Sequence, residues 1–282
     1  MESLVITLHF MKIIITLSGN SERFTSKGYP IKPLINVNEK LILDYVLDMF
    51  PLNQIDEKDL IFLLKNEDIS QYPIEKEILK RRKSKILTIE KNNLGPVFSI
   101  SNIFSSIPDD EEIIISYCDL TQKWNFEDFL KFCRNSNSDG CVVTHVGFHP
   151  HKLYNTSFAF LKVKDDIVEE IQEKKSFTET SYNEPASNGI YYFKSGDLLK
   201  KYFNKLIKER ISVNGEYYVT LPYNLMIKDN LKVTHYITKN FVCLGTPTDV
   251  ICFESWMKIL KHNYVNKNNI LNLYNYWNDY VS

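Results

Sequence analysis

Short apolar runs separated by stretches of helical spacing constrain this chain more than any other feature. Lys12-Ile13-Ile14-Ile15-Thr16-Leu17, Leu60-Ile61-Phe62-Leu63-Leu64 and Glu112 to Tyr117 are too short for helices and have apolar centres. Such runs mark strands covered on both faces. Lys85 to Ile89 reads as another strand. Between and after them, apolar spacing predicts helices over Leu41 to Phe50, Ile74 to Arg82, Val97 to Ser105 and Phe126 to Arg134. Pro51 stops the first, and Leu94-Gly95-Pro96 turns the chain into the third. Strands alternating with helices predict an α/β fold with a Rossmann-like, mostly parallel central sheet and helices on both faces.

The second half changes character. Gly140 to Gly147, Ser157 to Lys164, Ile167 to Glu173, Gly189 to Phe193 and Lys232 to Ile237 read as strands. Helices are expected over Leu198 to Glu209, Val219 to Ile227 and Pro247 to Leu260, the last after a Thr246 cap. A smaller, strand-rich part therefore follows the parallel half. The expected organisation is an extension over 1–10, a main domain over 11–260 divided at 139/140, and a helical tail over 261–282.

The charges bound the partners. Lys and Arg number 34 and Asp and Glu 35, giving a net charge of −1. A balanced chain lacks the broad basic footprint of a nucleic-acid-coating protein. No apolar run reaches the roughly 18 residues of a membrane span. The first ten residues lack the basic start of a secretory signal. The five cysteines are odd in number and form no CxxC pair, which predicts a reduced, cytoplasmic protein without disulfides or structural zinc. The sequon Asn155-Thr156-Ser157 would then go unused.

In open α/β sheets ligands bind beyond the carboxyl ends of the strands. Two such ends carry chemistry here. Ser18-Gly19-Asn20-Ser21-Glu22-Arg23 follows the first strand, with Lys32 a little further on. It is neither a Walker loop nor a dinucleotide fingerprint. A glycine turn with free N–H groups and two cations can cradle phosphate oxygens; it can equally be a plain turn. Asp119 ends the strand Glu112 to Tyr117, where a carboxylate can hold a hard cation or cap a turn. His149-Pro150-His151 with His145 offers imidazoles but no obvious fourth ligand, and Ser18 has no His and Asp partners for a hydrolase triad. Tyr217-Tyr218 are expected as packing aromatics.

Seven segments, taken in order, resemble the sugar-phosphate nucleotidyltransferase family, and most closely a subgroup found in bacterial capsule loci. They are Met11 to Val37 with Arg23-Phe24 and Gly28-Tyr29, Leu94-Gly95, Cys118-Asp119, Glu173-Lys174 and Asn188 to Gly196. Asn214-Gly215-Glu216-Tyr217-Tyr218 and Leu244 to Asp249 complete the set. The resemblance covers about residues 11 to 260. It implies attack by a sugar 1-phosphate oxygen, or that of a similar phosphorylated acceptor, on the α-phosphorus of a nucleoside triphosphate, with release of pyrophosphate. It further implies that Ser18, Gly19, Asn20, Arg23 and Lys32 hold the triphosphate and that Gly95 lies by the base or ribose. Asp119 would hold Mg²⁺. Lys174, beside Glu173, would hold the sugar phosphate, and Asn188, Gly189 and Glu216 would line the sugar pocket. The implied partners are these two small molecules, with assembly into a homo-oligomer left open.

The chain departs from the pattern in four places. Ser21 replaces the second loop glycine, the proline before Lys32-Pro33 is missing, Pro96 follows Gly95, and Cys243 stands where many members carry a second metal-binding aspartate. The last departure leaves a catalytically inactive relative as one alternative. A metal-dependent glycosyltransferase is another, although Cys118-Asp119-Leu120 lacks the Asp-x-Asp such enzymes present.

Overall fold

A computed structural model of the chain describes residues 11–147 and 157–261. The ten-residue extension, His149 and His151, Asn155 and Thr156 of the sequon, and the tail from residue 262 lie outside the described residues. The strands in chain order are β1 (Met11–Thr16), β2 (Asn36–Val37), β3 (Lys40–Leu41), β4 (Leu60–Lys65), β5 (Lys85–Ile89) and β6 (Glu112–Tyr117). They continue as β7 (Leu120–Lys123), β8 (Gly140–His145), β9 (Ala159–Lys164), β10 (Ile167–Glu173), β11 (Ala186–Phe193), β12 (Val233–Ile237) and β13 (Asn240–Cys243).

Nine of them form one sheet in the order β5-β4-β1-β6-β11-β8-β12-β10-β9. The first four run parallel. The β1, β4 and β6 runs divide their side chains between two cores. Ile13, Ile15, Phe62, Leu64 and Ile114 join one, with the helices Ile42–Leu47 and Phe126–Asn135. Ile14, Ile61, Leu63, Ile113 and Ile115 join the other, with Pro96–Ser101, Gly196–Lys208 and Leu221–Lys228. Burying each such side chain contributes about 1.5–3 kcal/mol, which is why these runs have no polar face.

The strand-rich half extends this sheet. β11 lies antiparallel between β6 and β8, β12 is parallel to β8, and β10 and β9 finish the edge antiparallel. β6, next to β1, therefore lies directly beside β11 of the second half. A separate ribbon, β7 with β13, pairs Leu120 with Cys243 and brings residue 243 beside Asp119. The expected Leu41 to Phe50 helix is shorter, Ile42–Leu47, and its first turn is fixed by Asp44, whose carboxylate accepts from Leu41 N–H at 2.8 Å. No described helix is long and apolar enough to cross a membrane.

Candidate functional site

The loop after β1 is built around Ser21. Its Oγ accepts from the Lys32 N–H at 3.2 Å, so the side chain that replaces a glycine ties the two ends of the loop together. Asn20 Oδ1 accepts from Glu22 N–H at 3.0 Å and starts the short helix Glu22–Thr25. Among the described residues, no protein group accepts from the N–H of Gly19, Asn20 or Ser21. Gly19 has open space where a Cβ would stand. Three free donors around an open turn suit anionic oxygens.

Lys32 lies opposite the end of β6, where its Nζ is 2.8 Å from Asp119 Oδ2. Burial pushes the Lys32 pKa down, but Asp119, Cys118 and Cys243 together raise it above its ordinary value. Lys32 is therefore cationic at neutral pH and available to a phosphate. Gly245 closes over the pair. A Cβ there would be 3.3 Å from Asp119 Oδ2 and 3.4 Å from Cys243 Sγ.

A divalent cation at this point must be judged on the donors present. Burial, then Asp249 and Asp119, push the Cys243 thiol well above its ordinary pKa, so it stays protonated and is a poor ligand for a hard ion. Asp249 is engaged elsewhere. Its carboxylate accepts from Thr246 N–H at 2.8 Å and Thr246 Oγ1 at 2.7 Å, a capping box for the helix Pro247–Lys261. No group of three or more His, Cys, Asp and Glu among the described residues could hold a metal unaided. A single carboxylate completed by substrate phosphates and water nevertheless fits the habits of Mg²⁺, and Asp119 offers one.

The second cluster gathers at the ends of β10 and of the segment before Leu221–Lys228. Lys174 follows β10 with φ +58°, a left-handed conformation uncommon outside glycine. Its Nζ donates to Tyr218 Oη and lies 4.5 Å from that ring's centroid. Lys174 is half-buried, so it is no solvated hairpin tip. Tyr218 was not expected to matter beyond packing. Burial and its hydrogen-bonded neighbour Glu216 raise its pKa, while the Arg23 charge pulls the other way. The charge of Arg23, exposed after the β1 loop, is thus felt at Tyr218. Tyr191 on β11 has its ionisation opposed by burial first and then by Glu173 and Asp119.

Glu173 accepts from Thr220 Oγ1 at 2.5 Å. Burial pushes its pKa up to about 7; Thr220 and Lys174 pull it down, and Glu216 adds to the rise. The folded protein therefore holds this proton more tightly than the unfolded chain. The resulting stabilisation is full below about pH 4.5 and is lost as pH rises through about 7. Relative to Glu173→Gln, the native protein should lose roughly 1–3 kcal/mol between pH 5.5 and 8, at about 1.4 kcal/mol per pKa unit. Melting curves of both proteins at the two pH values check this. Identical pH shifts would make Glu173 an ordinary carboxylate.

Two residues expected in the sugar pocket, Asn188 and Gly189, are closely packed. Asn188 is 2% exposed, with Nδ2 donating to Gln122 Oε1 at 2.8 Å and Thr238 Oγ1 at 2.7 Å. His145 Nδ1 lies 2.6 Å from Asn188 Oδ1, and the His145 ring stacks on Phe241 at 4.5 Å. Asn188 thus braces β8, β11 and the β7 ribbon from inside. Gly189, at φ +85°, allows Leu120 and Tyr117 to pack against the backbone; a Cβ would be 2.9 Å from Leu120 Cδ2. Its role is close packing. Gly95, at φ +89°, packs on Glu216 and Tyr217 and so joins the two halves. Gln122, Thr220 and Tyr218 were missed in the sequence, because nothing in a lone polar or aromatic residue reveals a partner 40 or more positions away.

An open sheet with a free N–H turn, a lysine paired with an aspartate beyond the end of β6, and a second cluster around Lys174 suits an α/β protein that binds anionic ligands. The family profile described as nucleotidyl transferase matches residues 24–279, and the chain belongs to that family. The match begins just after Arg23, so Ser18 to Arg23 precede it. Among solved structures, a nucleoside-diphosphate-sugar pyrophosphorylase from Vibrio cholerae is similar with a TM-score of 0.71 at 16% identity, covering 86% of this chain and 99% of that one. A Bacillus anthracis protein assigned as a glucose-1-phosphate thymidylyltransferase, solved with sucrose, is similar with a TM-score of 0.68 at 16% identity, covering 92% and 99%. No curated protein matches significantly. At such identity the two structures speak to the fold, while the family match identifies the chain as a nucleotidyltransferase.

Proposed function

We infer that the chain joins a nucleoside monophosphate to a sugar 1-phosphate and releases pyrophosphate. An acceptor phosphate oxygen bonds to the α-phosphorus, the α–β bridging P–O bond breaks, and pyrophosphate leaves. The observation that carries this is a pair of cationic groups, Lys32 beside Asp119 and Lys174 beside Tyr218, whose neighbouring carboxylates Asp119 and Glu173 both act on Tyr191, while the Arg23 charge acts on Tyr218. Two polyanions must approach there. Like charges about 4 Å apart repel by about 4 kcal/mol at an effective dielectric of 20, so the protein must supply positive charge at both. The sugar acceptor is supported by the names of the two structural neighbours. A role in capsule or other surface polysaccharide synthesis rests on the capsule-locus resemblance.

In this proposal residues 11–139 hold the nucleotide and 140–260 the acceptor. The free N–H groups of Gly19, Asn20 and Ser21 receive phosphate oxygens, and Arg23 and Lys32 neutralise the triphosphate. Lys32 turns from Asp119 to phosphate as the nucleotide enters. Mg²⁺, held by Asp119 and phosphate oxygens, would supply further charge neutralisation at the α-phosphate. Lys174 positions the acceptor phosphate, and Glu216 bounds the sugar side.

Pyrophosphate release that requires both substrates tests the activity. Nucleotide binding without release would instead establish an inactive relative. Arg23→Ala and Lys174→Ala should separate the two substrates. Arg23→Ala weakens nucleotide binding. Lys174→Ala leaves it nearly intact and lowers kcat/KM for the acceptor about ten- to a hundredfold, the roughly 1.5–3 kcal/mol of a charge-assisted hydrogen bond. Kinetics with both substrates varied decide this; equal small effects on both KM values would remove Lys174 from the site.

A further inference from the structure

A cavity of about 350 Å³ opens beyond the carboxyl ends of β4 and β5, lined among others by Asn66, Glu90, Asn92, Phe98 and Asn102. Its volume falls within the range of small-molecule sites. In the sheet β4 neighbours β1, and β5 lies one strand further out. With strands about 4.8 Å apart, the cavity stands roughly 5–10 Å to the side of the β1 loop. That is about the width of a ribose, so a nucleotide with phosphates on the loop can place its base here.

The lining has a chemical bias. Asn66 Nδ2 donates to Glu90 Oε1 at 2.5 Å, leaving Glu90 Oε2 and Asn66 Oδ1 as acceptors. Asn102 Nδ2 donates to the Phe98 carbonyl at 2.7 Å, leaving Asn102 Oδ1 as an acceptor. Asn92 Nδ2 lies within bonding range of Ser99 Oγ at 3.4 Å, and Asn92 Oδ1 accepts from Leu94 N–H at 3.1 Å, which holds the loop before Gly95. Lys91 is engaged with Glu67 at 3.2 Å, and among the described residues no cation pairs with Glu90. Phe98 adds a half-buried apolar face. The cavity therefore presents a negative charge and an excess of acceptors beside an aromatic ring.

We propose that this cavity receives the base of the nucleotide and selects bases that carry an exocyclic amino group, that is cytosine, adenine or guanine, over uracil and thymine. The amino group donates to Glu90 Oε2. Uracil and thymine have only ring N–H donors flanked by carbonyl oxygens, which would face the Glu90 carboxylate and be repelled. The selection rests on the nucleotidyltransferase reading above, but its test separates the two.

Binding of CTP, ATP, GTP, UTP, dTTP and inorganic tripolyphosphate to the full chain is measured with magnesium present, for the native protein and for Glu90→Gln. Glu90 is exposed, so the substitution keeps the fold, and the melting temperature verifies this. One or more amino-bearing triphosphates should bind at least about tenfold more tightly than UTP and dTTP. Glu90→Gln should shrink that ratio about tenfold while tripolyphosphate binding is unchanged, since a glutamine amide can donate to a carbonyl as well as accept. A preference for UTP or dTTP, or a ratio untouched by the substitution, overturns the base selection and leaves the nucleotide site standing. If neither tripolyphosphate nor any nucleotide binds, both readings fall.

Discussion

Asp119→Asn is expected to cut turnover roughly 10²–10³-fold at every magnesium concentration, while the protein still melts cooperatively. Asparagine keeps the size of the side chain at the end of β6 and removes its charge. Nothing nearby replaces it, because the Cys243 thiol stays protonated and Asp249 is held by Thr246. The substitution also strips Lys32 of the carboxylate at 2.8 Å. The raised pKa of Lys32 means that this partner set stabilises the fold fully below about pH 10.5 and ceases to do so as pH rises further. A loss of about 1–3 kcal/mol at pH 7–8 should accompany the loss of turnover, and it should shrink in strong alkali. Turnover and melting are measured on the same preparations. Near-native turnover in the variant would place the cation elsewhere or make it dispensable.

The same pair shows what the chain discloses by itself. β1, β4 and β6 are legible because both faces are covered, so Ile13 to Ile15, Ile61 to Leu64 and Ile113 to Ile115 carry no polar alternation. Asp119 is legible because a strand ends there. That Lys32, 87 positions earlier, reaches it is not, since the contact depends on the parallel pairing of β1 with β6 and on the loop tied by Ser21. The β7–β13 ribbon is silent in the sequence. Its strands are only four residues long, and Leu120-Thr121-Gln122-Lys123 has the look of a turn. Yet the ribbon sets Cys243 beside Asp119 and lets Gln122 hold Asn188. The burial of Asn188 is equally silent, because His145, Gln122 and Thr238, the three side chains that close a network around it, lie 43 to 66 positions away.

Gly95→Ala should be the most damaging single methyl in the candidate site, and its effect should reach both substrates. Gly95 has φ +89° and ψ 177°, a region open in practice only to glycine, so any side chain brings about 1–3 kcal/mol of backbone strain. The space is taken as well: an added Cβ would lie 2.8 Å from Tyr217 N and 3.0 Å from Tyr217 O. These atoms cannot retreat cheaply. Tyr217 N–H donates to the Leu94 carbonyl at 2.8 Å, and Val97 N–H donates to the Tyr217 carbonyl at 3.0 Å. Pushing them apart breaks one or both bonds, at about 1 kcal/mol each. The sum is roughly 2–5 kcal/mol, a fall in melting temperature of about 4–20 °C at 2–4 °C per kcal/mol. Glu216 and Tyr218 flank Tyr217, so the displaced segment carries the acceptor cluster with it, while the loop before Gly95 shapes the nucleotide side. KM should therefore rise for the triphosphate and for the sugar phosphate together, unlike the one-sided effects of Arg23→Ala and Lys174→Ala. A variant with native melting temperature and both KM values unchanged would show that Leu94 and Tyr217 do not clasp the two halves in solution.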